Sequence, residues 1–137
     1  MVVEGLEGVV VAESKISVID GDKGELVYRG YNIHDLAQNI EFEELLSLLW
    51  DGDLPNQQEL EEIRSRLDDN RAVESDILEL MRVQANQDVH PMAALRTAVS
   101  SLSAYDPDAD AEPTDRESNL RKGRRITAKI PTIIAAF

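Results

Sequence analysis

"HPMAALRTAVSSLSAYD", residues 90–106, is the stretch on which the fold turns. A His-Pro pair stands directly before an apolar run, in a chain with only two histidines. Pro91 suits the first turn of a helix, where its missing N–H leaves nothing unpaired. Met92, Leu95, Val99 and Leu102 then recur at helical spacing, with Ala94 and Ala98 beside them. Small residues next to such a stripe let another helix approach closely. His90-Pro91 therefore reads as the start of a helix built to meet other helices.

Working outward, the chain is helical on both sides of this stretch. "NIHDLAQN" is a short helix, and "EFEELLSLLWDG" places Phe42, Leu45, Leu46 and Leu49 on one face, with Asp51-Gly52 ending it. Asn56 with Glu59 three residues on resembles a capping box, followed by the stripe Leu60, Ile63 and Leu67. "ESDILELMRVQ" is a further helix ending near Asn86. The last begins near Thr114 or Asp115, carries Ile126, Ile130, Ile133, Ile134 and Phe137 as its expected buried face, and is expected to kink at Pro131. It shows no stop signal, which predicts either a covering partner or a continuing chain.

The first thirty residues read differently. "GVVVAES", "KISVID" and "GELVYRG" are β-branched runs, and the "DGDKG" between the last two tolerates the positive φ of a tight turn. Residues 15–29 thus predict a hairpin, which must lean on helices for its stability.

Composition sets the limits. The 137 residues suit one domain, and their aromatic content of 4% requires an aliphatic core. There is no cysteine, hence no disulfide, thiolate nucleophile or cysteine metal site. Twenty-seven acidic against 14 basic residues give a net charge of −13, which disfavours non-specific binding to DNA or anionic membranes. The acidic, Lys-poor surface fits a halophilic source and an ordinary acidic cytosolic protein equally well. Glu4 and Glu7 occupy the place of a signal peptide's basic region, so the expectation is a soluble, cytoplasmic chain.

Two charged patches invite a functional reading. Asp106, Asp108, Asp110 and Glu117 fall at positions 1, 3, 5 and 12 of a calcium loop, but Ala111 replaces the required Gly and Pro113 lacks an N–H. A solvated acidic connector is the favoured reading. "RKGRR", 121–125, could hold a phosphate, but such a run is more often a solvated helix face, here opposite an acidic neighbour such as Glu117. Neither His34 nor His90 has ligand-spaced partners, so no metal site or general base is read.

The phrases "YRGYNI", "LLWDGDLP", "HPM", "YDPD" and "AKIPT", in that order, resemble the start of citrate synthases, most closely the short bacterial and archaeal type. The related 2-methylcitrate synthases share them. The resemblance covers Gly5 to Phe137. It implies a mainly α, multi-helical segment of the large domain, with a β element at 1–31 and helices over 32–137, the C-terminal remainder being absent. The family condenses acetyl-CoA with oxaloacetate, giving citrate and CoA. Its catalytic histidines, aspartate and substrate arginines lie beyond the "AKIPT" helix, so no catalytic, cofactor or metal residue is transferred and no cofactor is expected. The resemblance instead implies a homodimer, with Met92, Leu95, Val99, Leu102, Ile126, Ile130, Ile133 and Ile134 as interface candidates. The chain alone is expected to be inactive. The rival reading is a non-catalytic helical dimerisation or interaction module.

Overall fold

Strand and helix divide the chain at Asn32. A computed structural model describes residues 9, 10 and 12–137. Its described residues form two compact units, with the boundary between Leu60 and Glu61.

The first unit opens with an antiparallel sheet of three strands in the order β1 (Ser17–Asp20), β2 (Glu25–Tyr28) and β3 (Tyr31–Asn32). Ser17 faces Tyr28 and Asp20 faces Glu25 across β1 and β2. The Asp20 carboxylate closes the turn by accepting from the Lys23 N–H at 3.1 Å and its ammonium at 2.8 Å. The sequence reading missed β3. Its turn is Arg29-Gly30, with φ of 49° and 94°, and two positive φ values are what a two-residue hairpin requires. Arg29 is not a residue that advertises this conformation, so the second turn was hidden. The strand expected from "GVVVAES" is not formed by its described residues, 9, 10 and 12–14. A β-branched run needs a ladder partner, and Val10 stands 84% exposed.

Asn32 then caps α1 (Ile33–Asn39), its side chain accepting from the His34 N–H at 2.9 Å. α2 (Phe42–Trp50) starts with a reciprocal box between Glu41 and Glu44 and stops before Gly52, whose φ of 106° suits only glycine comfortably. Its buried arc is Leu46, Ser47 and Leu48, whereas Phe42, expected inside, is exposed. Leu36 is also buried in this unit.

α3 (Gln57–Asp69) begins with the anticipated box. The Asn56 side chain accepts from Gln58 and Glu59, and the Asn56 N–H donates to Glu59 at 2.8 Å. Leu60 and Leu67 are its buried residues.

The second unit is a packing of α4 (Ser75–Asn86), α5 (Pro91–Ser101) and α6 (Arg116–Ala136), with a 3-10 turn at Leu102–Ala104. Its core is Ile77, Met81, Ala94, Ala98, Leu102 and Ile133. Burying a large aliphatic side chain stabilises by about 1.5–3 kcal/mol, so Ile77, Met81 and Ile133 dominate. The alanines contribute by letting helices close in. α6 runs through Pro131 as one helix. Among the described residues, no helix is long and apolar enough to cross a membrane.

Candidate functional site

α5, the 3-10 turn after it and α6 carry every interface candidate, so they are built here from their caps upward. α4 ends in a turn where Asp88 takes φ of 51°, and Val89 leads into His90. His90 is the N-cap of α5, its Nδ1 accepting the Met92 N–H at 3.2 Å, with Pro91 as the first helical residue. Ala94 and Ala98 lie at the centre of the buried face with no exposure, and Leu102 is buried below them. Residues advance about 100° per step around a helix. By that measure the expected stripe of Met92, Leu95, Val99 and Leu102 is turned roughly 80° from the buried face. Leu102 is thus inside and Leu95 packs on the core's edge, while Met92 is 65% exposed.

α6 departs from expectation in the same manner. Asp115 caps it, accepting the Glu117 N–H at 3.1 Å. Then one polar row runs along the helix at i, i+3, i+7, i+11 and i+14: Ser118, Arg121, Arg125, Lys129 and Thr132. Ser118 is fully buried and donates to the Asp115 carbonyl at 3.0 Å. Arg121 forks onto Asp108 at 3.0 and 2.6 Å. Arg125 forks onto Asp106 at 2.9 and 2.7 Å and reaches Asp108 at 2.6 Å. Lys129 donates to the Ala72 carbonyl, with Glu74 3.6 Å away, and Thr132 donates to the Arg71 carbonyl at 3.0 Å. Ile133 is inside and Ile126 packs on the core, but Ile134 is 56% exposed and Ile130 half-buried.

The charges are tuned by this contact. Hydrogen bonds from Arg125 hold the Asp106 carboxyl below its ordinary range, and those from Arg121 and then Arg125 hold Asp108 lower still. The same bonds raise both guanidinium groups. The acidic connector and the basic run thus meet, with Asp106 and Asp108 as the partners of Arg121 and Arg125. The calcium-loop carboxylates at positions 1 and 3 are occupied by guanidinium. Beside them is a cavity of about 280 Å³, walled by Glu74, Tyr105, Asp106, Arg125, Ile126 and Lys129 among others. The Tyr105 hydroxyl donates to Asp76 at the start of α4, which lowers the Asp76 pKa and raises that of the phenol.

What the pair leaves outside its core is partly apolar surface. Leu102 and Ile133 leave the set of contact candidates because the chain's own core covers them. Met92 and Ile134 remain outside, and Leu95, Val99, Ile126 and Ile130 lie between. Sequence reasoning missed the polar row. The signal was present in the spacing of Arg121, Arg125 and Lys129 against "DPD", as a pairing of opposite charges one connector apart.

Comparison with known proteins places this pair in context. Residues 5–137 match the family described as citrate synthase, C-terminal domain. The chain is 55% identical to the citrate synthase of Haloferax volcanii, over 97% of this chain and 35% of that protein. It is 47% identical to citrate synthase 2 of Bacillus subtilis, over 97% of this chain and 35% of the other. The 2-methylcitrate synthase of Mycobacterium tuberculosis is 40% identical, over 96% and 32%. Citrate synthase from Pyrobaculum aerophilum superposes with a TM-score of 0.83 at 36% identity, over 96% of this chain and 34% of that one. The chain thus spans about a third of the length of the relatives it matches. On the match of almost every residue, the chain belongs to the citrate synthase family.

Proposed function

We propose that these residues are the N-terminal segment of a citrate synthase's large domain, and that the complete enzyme condenses acetyl-CoA with oxaloacetate to citrate and free CoA. The observation that carries the reading is the 55% identity to the Haloferax volcanii citrate synthase across nearly the whole chain. The family description names a C-terminal domain; reading these residues as the enzyme's leading part draws on the resemblance of their phrase order to the start of citrate synthases. Acetyl-CoA is a substrate in this scheme and no cofactor is invoked. The cellular setting is the cytoplasm.

The segment's own part is assembly. Met92 and Val99 on α5, and Ile130 and Ile134 on α6, lie outside the core face of their helices. They are the surface offered to a second copy or to the polypeptide carrying the rest of the enzyme. The 137 residues by themselves are inactive. The His90 ring is engaged through Nδ1 as a helix cap, and His34 gives its backbone N–H to the cap of α1.

The test has two arms. Thiol release from acetyl-CoA plus oxaloacetate should be absent with the pure chain, and release there would overturn the claim of inactivity. Supplying the rest of a relative's sequence in trans should restore release, and identical inertness of a folded complex would overturn the assignment. The product separates the two synthases: 2-methylcitrate carries one extra carbon, so preference for a propionyl over an acetyl thioester would favour that reading. The interaction-module alternative draws on the same apolar flanks. A self-associating chain that gains no activity in trans would favour it.

A further inference from the structure

The polar row on α6 runs along the side of the helix that carries the buried Ser118, with the Arg125 and Lys129 side chains 18% and 16% exposed. Its members reach three pieces of the same unit. Ser118 and Asn119 take the end of the acidic connector, at Asp115 and Pro113. Arg121 and Arg125 take its start, at Asp106 and Asp108, directly after the 3-10 turn that ends α5. Lys129 and Thr132 take the link between α3 and α4, at Ala72 and Arg71. The central fork is the most enclosed, with the Arg125 and Asp106 side chains only 18% and 13% exposed. A bidentate guanidinium–carboxylate pair fixes both distance and plane, which aliphatic packing does not.

We infer that Arg125, with Asp106 and Asp108, is a positioning residue: it sets the rotation of α6 relative to α5, and so presents Met92 and Val99 together with Ile130 and Ile134 to the partner copy. This rests on the reading of those flanks as an assembly surface. An isoleucine row straddling the edge of a buried face is open to rolling, because Ile130 or Ile134 could replace Ile133 inside at little cost in apolar burial. The fork forbids the roll, since turning α6 tears Arg125 from two carboxylates at once. Arg125 acts through the helix pair and touches no substrate.

The experiment uses the 137-residue chain. The sequence has no cysteine, so spin labels at Thr97→Cys and Ala135→Cys report the α5–α6 distance cleanly. Self-association is measured by sedimentation equilibrium in parallel. Arg125→Met should broaden the distance distribution and weaken association about tenfold, with helical circular dichroism unchanged. Asp106→Asn with Asp108→Asn should do the same, and combining them with Arg125→Met should add nothing. Arg125→Lys keeps the charge without the fork and should recover only part. Should Arg125→Met lose helicity, the lysine variant alone decides: wild-type distances and affinity there overturn the proposal. Ile134→Asp separates the two claims. If it abolishes association while Arg125→Met leaves affinity and distances unchanged, the positioning role is overturned and the assembly surface stands. If the wild-type chain is monomeric throughout, surface and positioning role fall together.

Discussion

α5 and α6 lie side by side in one unit and are seated by opposite chemistry. α5 approaches its neighbours through two alanines, Ala94 and Ala98, both without exposure. α6 adds to its buried Ala128 and Ile133 a row of hydroxyl and cationic side chains that bond carbonyls and carboxylates. The first contact works by the absence of side chain, which brings backbones close and gains dispersion over many small contacts. The second works by directed bonds, which tolerate neither rotation nor sliding. The difference teaches that a helix's apolar stripe need not be its buried face. In both helices the stripe lies across the edge of that face, half inside and half out.

The comparison is broken most sharply by substitutions on either side of that edge. Ile133→Ala, at a site with no exposure, should cost about 2–5 kcal/mol in urea denaturation. Ile134→Ala, one residue on and 56% exposed, should change stability by less than about 0.5 kcal/mol. Equal costs would mean that α6 is rotated from the orientation described. Next in size is Ala98→Leu, which inserts bulk where α5 meets its neighbours and should cost about 1–3 kcal/mol. A neutral Ala98→Leu would show that the small residues are not what brings the helices together.

Much of this was legible before any coordinates. The helix starts at Asn32, Asn56, His90-Pro91 and Asp115, and the turn at Asp20–Gly24, follow from local chemistry that needs no partner. What was not legible depends on distant segments. Ala94 and Ala98 are buried because α4 and α6 come close there, and alanine carries no hydrophobic signal strong enough to announce it. Arg125 is in the interior because Asp106, nineteen residues earlier, neutralises it. A hydropathy reading assigns every arginine to solvent and so swings the predicted face toward the isoleucines. β3 was hidden for a related reason: its turn needs two positive φ values and places Arg29 at the first. The same rotation divides the interface candidates: Leu102 and Ile133 face the chain's own core, while Met92 and Ile134 are exposed.

A change that spares α5 and strains α6 sharpens the comparison further. The buried face of α5 contains no titratable side chain, whereas α6 depends on Asp106 and Asp108. Both carboxyls are held below the ordinary aspartate value of about 3.9. A depressed folded pKa means the contribution is fully present above that value and is lost as pH falls below it, through the folded pKa. Lowering the pH from 5 toward 2 should therefore release α6 before α5, read as earlier loss of amide protection along 116–136. Asp106→Asn with Asp108→Asn should flatten the dependence on pH, and an unchanged slope would remove these two groups from the acid response.

Small effects lie at the two caps, and they reverse the contrast. Here α6 is the conventional helix: Asp115 offers a carboxylate to the Glu117 N–H and a negative charge to the positive end of the helix dipole. Removing it by Asp115→Ala should cost about 1 kcal/mol. α5 has the unusual cap, an imidazole nitrogen 3.2 Å from the Met92 N–H. A ring nitrogen brings no carboxylate charge to the positive end of the helix dipole and reaches the N–H from a bulkier frame. His90→Asp should therefore leave α5 intact and raise stability by a few tenths up to about 1 kcal/mol, seen as a small upward shift of the thermal midpoint. Only a His90 that does more than begin a helix would make this substitution costly. A loss of more than about 1 kcal/mol would show that its other ring nitrogen also carries a structural bond.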